Sequence, residues 1–493
     1  MNRKKAYFIL SAAMAVILLC GGVYLLTHHD MTGASYSDIE AYRAEHPNIT
    51  VTYEITIDGG SEPLKLKHNS RSVTLEYAAQ ANSLVQKADY LQGLESIDLG
   101  DAALPGDLLT ALATAFPNAQ LSYTAVSMLG EAYPADLTVL ELTDLSSQAL
   151  HYAADGLPWL THLERLTVTP AEDTTFTAED AAALAAAVPD AEVKLTFDLF
   201  GQTVSTDMER IEYFKADIGG DAGLDVVRSI MPIMDKLTYL KLDWCNTTDE
   251  ATAALRDELA DRCKVVWRVF LTDEYNALTD TYKIWAQFML YGKDVECLKY
   301  CTEVRYIDMG HSYVDNCEFV KYMPHLNTLI LADSWLSDLE PLRTCENLTY
   351  LEVFSSRVKD ISPLADLEQL EYLNISNCKI TDISPLYGLE NLIIVNCTMA
   401  HIEDEQIKTF KELHPDTKCT FNWWKSPTEF FWRHAPTPEG YRRTPRYALL
   451  REQIGYDTKD YSRYPTGYVT EEITYESTGI LPPEERDYEV YPK

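Results

Sequence analysis

The frame L-x-x-L-x-L returns every 22 residues, starting at Leu326, Leu348, Leu370 and Leu392. It reads Leu326/Leu329/Leu331, Leu348/Leu351/Val353, Leu370/Leu373/Ile375 and Leu392/Val395/Cys397, with Val304/Ile307/Met309 one step earlier. One turn of this size cannot bury its own apolar side, so successive turns must stack and share a core. Alternation inside the frame predicts a short strand. The leucine positions point inward and the positions between them face out. One strand per turn in constant register implies a continuous parallel sheet.

Between the strands, the return segments read Asp360-Ile361-Ser362-Pro363-Leu364 and Thr381-Asp382-Ile383-Ser384-Pro385-Leu386. Ser as a cap and Pro as the first helical residue suit one tight helical turn. A longer period precedes this block. Phe116-Pro117-Asn118-Ala119, Val188-Pro189-Asp190-Ala191 and Ala260-Asp261-Arg262-Cys263 are each 72 residues apart, and His46-Pro47-Asn48-Ile49 resembles an earlier copy. Alanine-rich stretches over 107–116, 178–188 and 249–260 predict helices before these copies, and Thr177 with Asp180 forms a capping box. Strand frames fall at Leu94/Ile97/Leu99, Leu137/Leu140/Leu142, Leu163/Leu166/Val168, Met208/Ile211/Tyr213 and Leu237/Leu240/Leu242. Two long, irregular turns per 72 residues are therefore expected.

These motifs resemble the internalin-like class of bacterial leucine-rich repeat proteins. The resemblance rests on Leu348-x-x-Leu351-x-Val353, Leu370-x-x-Leu373-x-Ile375 and the two Asp-Ile-Ser-Pro-Leu segments. It is close over 304–402 and loose over 72–270. The usual Asn slot holds Ser312, Ser334, Ser356 and Cys378, and the early turns are long. The resemblance implies an α/β fold: a right-handed leucine-rich repeat solenoid with a parallel concave sheet, helices or short helical turns on the convex side, and use in protein binding.

The expected domains are an N-terminal basic tip and membrane segment (1–30), a cap (31–70) with an entry helix over 37–46, long repeats (71–303) and regular repeats (304–420). An aromatic C-terminal cap (421–456), packing on the open end of the stack, and an extended acidic tail (457–493) follow.

Residues 6–26 form an uncharged apolar run behind Arg3, Lys4 and Lys5. At about 1.5 Å per residue it just spans a hydrocarbon core of roughly 30 Å. The preceding charges place the N-terminus in the cytoplasm and the rest outside. The alternative is a signal peptide cut near Thr32-Gly33-Ala34, which gives a secreted protein. His28-His29 is expected to be exposed linker. With 76 acidic against 41 basic residues and a net charge of −35, the surface repels phosphate backbones and excludes nucleic-acid binding. The cysteines fall largely in core columns of the repeat, so buried, reduced thiols are expected rather than disulfides.

The outward strand positions form columns: Tyr306, Thr328, Tyr350, Tyr372, Ile394, and beside it Asp308, Ile330, Glu352, Asn374, Asn396. With strands about 4.8 Å apart, the reading is an open patch of Tyr306, Tyr350, Phe354 and Tyr372. Asp308, Glu352, Glu371 and Asn374 edge it. Such tyrosines bring large contact area with a polar tip, so a protein ligand of unknown identity is placed here.

Trp423, Trp424, Phe430, Phe431 and Trp432 form either a core-packing cap or an envelope-glycan platform. The Arg433, Arg442, Arg443, Arg446 and Arg451 island neutralises nearby acids, docks on the solenoid or meets an anionic wall polymer. Asp338, Asp360 and Asp382 read as turn caps rather than a calcium ladder. No nucleophile–base pair, zinc spacing or phosphate-cradling loop occurs. The expectation is a non-enzymatic, membrane-anchored adhesion or recognition protein without metal or cofactor. The alternative is a cell-wall or glycan binder using the C-terminal segment.

Overall fold

The computed structural model describes residues 28–287, 289–421, 432–437, 440–456 and 474–478. The chain divides into two compact units, residues 1–208 with 225–236 and residues 209–224 with 237–493.

The first unit is built from a repeated module. Three short parallel strands, Ser72–Thr74, Ser96–Asp98 and Gln120–Ser122, are followed by an antiparallel hairpin, Ala125–Met128 with Glu131–Pro134. The pattern returns as Val139–Leu145, Arg165–Pro170 and Glu192–Lys194, then the hairpin Thr196–Leu199 with Gln202–Ser205. Five expected strand frames lie on strands here and in the second unit. Each module also carries a third strand and a hairpin beyond the two turns expected. The third strand follows the Pro-Asn/Asp-Ala copy, where Leu121 and Val193 continue the inward row. Helices Gly106–Ala115 and Ala178–Ala187 occupy the alanine-rich stretches. Thr177 and Asp180 cap the second reciprocally, Thr177 N donating to Asp180 Oδ2 at 2.8 Å and Asp180 N to Thr177 Oγ1 at 3.3 Å.

At the start of this unit the entry helix is Tyr36–Glu45. His28–Asp30 is not linker but a strand, paired in parallel with Thr50–Thr52, with His29 exposed as expected and His28 half-buried. Among the described residues no helix is long and apolar enough to cross a membrane. The apolar run 6–26 lies outside the described residues.

The second unit opens with one more module, Arg210–Phe214, Tyr239–Asp243 and Lys264–Phe270, the last pairing antiparallel with Asn276–Leu278. Then comes a seven-stranded parallel sheet: β1 (Lys283–Trp285), β2 (Tyr306–Asp308), β3 (Thr328–Ile330), β4 (Tyr350–Glu352), β5 (Tyr372–Asn374), β6 (Ile394–Cys397) and β7 (Lys418–Phe421). From β2 to β6 the partners stand 22 residues apart (Ile307, Leu329, Leu351, Leu373, Val395), all buried. The sheet begins one turn before the regular frame. This is a leucine-rich repeat solenoid.

Each turn leaves its strand through a left-handed residue: His311, Asp333, Ser355, Asn377 or Met399, φ between 51° and 61°. The next residue fills the slot in which the internalin-like resemblance expects Asn. Ser312 and Ser334 donate to the carbonyls of Met309 and Leu331 at 2.7 Å, and Cys378 Sγ lies 3.2 Å from the Val353 carbonyl. A short hydroxyl or thiol thus satisfies the strand-end backbone where Asn usually does.

The return segments are 3-10 turns, Glu340–Thr344, Ser362–Asp366 and Ser384–Leu386. Their cap is not the expected Ser. Asp338, Asp360 and Asp382 accept from the N–H two residues on, at 2.8–2.9 Å. This is the turn-capping role, and no metal-holding group of side chains occurs among the described residues. The nine described cysteines are all free, seven of them buried.

Candidate functional site

The tyrosine columns assemble as expected. Tyr350 pairs with Tyr372 across β4 and β5, ring centroids 5.9 Å apart. They do not face solvent. Tyr306, Tyr350, Tyr372 and Phe354 are 0, 1, 4 and 7% exposed, and Asp308, Glu352 and Asn374 at most 2%; Glu371 is half-buried. What covers them is the chain's own C-terminal segment.

That segment enters at Trp432. Its ring lies 5.2 Å from Tyr350 and 6.4 Å from Tyr372. The indole N–H donates to Glu352 Oε1 at 2.6 Å, and Arg433 Nη2 donates to Glu352 Oε2 at 2.8 Å. The Tyr350 hydroxyl also donates to Glu352. A buried carboxylate is costly unless paired and hydrogen-bonded, and here three donors meet it. Burial alone lowers the Arg433 pKa, but the facing Glu352 outweighs this and holds it raised. Burial and then Glu352 push the Tyr350 hydroxyl well above its ordinary value.

A tight pair of strands, His434–Thr437 and Gly440–Arg443, leads into helix α1 (Pro445–Ile454). Thr444 caps it, accepting from Tyr447 N at 3.3 Å while donating to the Trp432 carbonyl at 3.1 Å. Proline at the first helical position fits, because its missing N–H has no partner to lose. Arg446 lies 4.7 Å from the Tyr350 ring centroid and donates to Thr328 Oγ1 at 3.1 Å. Tyr447, Leu450 and Ile454 join Tyr282, Tyr306 and Ile330 in one buried cluster. Past the helix, Tyr456 packs edge-on against Trp285 at 5.2 Å and donates to Asp308. Gln287 Nε2 donates to the same carboxylate at 2.6 Å and Gly310 N at 2.9 Å. Burial nevertheless raises the Asp308 pKa.

The described part of the expected aromatic cap, residues 432–437 and 440–456, therefore lies across the tyrosine face of β1 to β5. Of the arginine island, Arg433 and Arg446 neutralise and dock. Trp432, the one described member of the expected glycan platform, is committed to this contact. Trp423, Trp424, Phe430 and Phe431 lie outside the described residues, as does most of the expected acidic tail. Asn374 is engaged within its own turn, where its side-chain oxygen accepts from Ser376 Oγ at 2.6 Å and from Ser376 N at 3.2 Å.

No family model matches the chain, and no curated protein does. Among solved structures, it is similar to internalin C2 of Listeria monocytogenes, at 21% identity over 46% of this chain and 88% of that one, TM-score 0.26. A second internalin of the same organism gives 15% over 68% and 76%, TM-score 0.26. A leucine-rich repeat protein of Leptospira interrogans gives 12% over 72% and 93%, TM-score 0.27. Likeness at these scores carries no argument about function; the strand register and buried core define the fold.

Proposed function

We propose that this is a non-enzymatic recognition or adhesion protein that binds a protein ligand on the tyrosine face of β2 to β5. Residues 432–456 close that face in cis. One observation carries the reading: Glu352, at the centre of the face, is built to receive an indole N–H and a guanidinium from a separate chain segment. The segment therefore indicates what the face accepts, an aromatic–arginine peptide. Its fit is incomplete. Arg433 Nε is buried without a hydrogen-bond partner among the described residues, a cost that weakens the cis contact.

Residues 6–26 hold the protein in the membrane with the repeats outside. The paired strand His28–Asp30 favours an uncleaved anchor, because cutting after Ala34 removes it from Thr50–Thr52.

The test is a labelled peptide of residues 432–456 titrated into the full chain and into a chain ending at residue 421, with folding checked by circular dichroism. A tethered segment competes at roughly millimolar effective concentration, so the full chain should ignore micromolar peptide and the shortened chain should bind it. A folded shortened chain that does not bind refutes the reading.

A further inference from the structure

With the tyrosine face closed, the second unit still displays a regular surface feature. Twenty-two residues apart stand Tyr291, Tyr313, Trp335, Arg357, Lys379 and His401, one per turn and all exposed. They follow the left-handed residues by two positions, on a second backbone ladder. Tyr313 N donates to the Leu290 carbonyl at 2.7 Å, Trp335 N to Val314 at 3.1 Å, Arg357 N to Leu336 at 2.8 Å and Lys379 N to Val358 at 3.2 Å. Tyr291 and Tyr313 stack at 5.2 Å, Trp335 lies 5.0 Å from Tyr313, and the Arg357 guanidinium sits 4.6 Å from the Trp335 ring centroid. The three rings are 41, 38 and 41% exposed. The chain places three large aromatics on a solvent-exposed edge that repeat stacking does not require.

We infer that this ladder is a docking surface for an acidic protein segment. The inference goes beyond the tyrosine-face reading and rests only on its protein-binding part. Charge complementarity carries it. Arg357 and Lys379 form no ion pair among the described residues, whereas Lys321 and Arg343 in the same repeats pair with Glu318, Glu340 and Asp366. In a chain of net charge −35, two aligned cations left without acids invite carboxylates from outside.

The aromatic half agrees. Ring edges carry the positive end of the quadrupole, and stacked rings present edges and hydroxyls outward. Tyr291 and Tyr313 turn their faces towards each other, Trp335 is tilted by 54° against Tyr313, and the Arg357 guanidinium lies over the Trp335 ring, so the three offer no continuous flat platform for a sugar or a nucleic-acid base. Six rungs span about 24 Å at roughly 4.8 Å each, matched by about seven extended residues. The basic stretch ends where Glu403 and Asp404 begin, beside a hollow they line with His401.

The experiment uses the full chain in detergent and a fluorescein-labelled glutamate–tyrosine copolymer, read by anisotropy. Binding is expected, weakened by raising salt from about 50 to about 500 mM, which screens exposed charges several-fold more strongly. It should fall at least tenfold in R357E/K379E and in W335A, with recovery in R357K/K379R and W335F. Absence of copolymer binding, equal binding by the charge-reversed variant, or equal competition by wall oligosaccharide or single-stranded DNA overturns the inference. The 432–456 peptide titration is read separately, so failure of either surface leaves the other result standing.

Discussion

Replacing Trp432 by Ala should release the C-terminal segment without unfolding the repeats. Trp432 is 2% exposed, packs on Tyr350 and Tyr372, and gives its N–H to Glu352. Truncating a buried Trp costs about 3–5 kcal/mol. Taking every 1.4 kcal/mol as tenfold, the open population of the segment rises by roughly two to four decades. The repeats do not depend on that contact: Leu329, Leu351 and Leu373 pack inside the stack, on the other side of the sheet. The loss should therefore appear as local opening rather than global unfolding. Hydrogen exchange with peptide-level mass spectrometry is the assay. Amides in 445–456 should lose protection in W432A while those in 328–331 and 350–353 keep theirs. Unchanged protection in 445–456 refutes the docking of this segment through Trp432. Equal loss in both places means that the segment is part of the repeat core.

Leu351→Ala, at 0% exposure in the central strand, should cost about 2–5 kcal/mol, seen as a lower unfolding midpoint in urea without loss of the 445–456 contact beforehand. Asp308 has its folded pKa raised by burial. Its contribution therefore grows as pH falls from that raised value towards 3.8 and is lost as pH rises through it; Asp308→Asn should flatten this part of the stability–pH curve, measured by melting at several pH values. Burial pushes the thiols of Cys263 and Cys345 up to about 11 and that of Cys297 up to about 12. Thiol reagent at neutral pH should label the native chain slowly and the denatured chain fast, and a fast native phase at these residues contradicts the packing.

The repeats are legible in the sequence because their signal is periodic. Leu326 to Cys397 fixes strand, direction and register together, and burial follows from the alternation. The hairpins are hidden for a local reason. Their tips are Leu129-Gly130 and Phe200-Gly201, both residues in each at positive φ. Two-residue turns of this kind usually advertise themselves with Asn or Asp at the first position; Leu and Phe conceal them. The third strand of each module is masked in the same way, since Leu121 and Val193 follow a Pro-Asn/Asp-Ala turn that reads as a helix end. The closed face is half visible. Glu352 and Asp308 among tyrosines call for donors; the arginine island supplies one to Glu352 through Arg433, while Asp308 takes Tyr456, Gln287 and the Gly310 N–H. Yet Trp432 meets Glu352 across 80 residues of chain, and periodicity within the repeats says nothing about a partner outside them.

Glu352 is made long before Trp432, and this order has a biosynthetic consequence. The sheet can be complete at Phe421, whereas α1 ends at Ile454. At about 5–20 residues per second, the roughly 33 residues between take about 2–7 seconds to follow. During that interval every nascent chain holds an uncovered aromatic trough. On the proposed function, an arginine-bearing peptide nearby at that moment would meet an empty berth, and each molecule's first occupant would be decided by a race at birth.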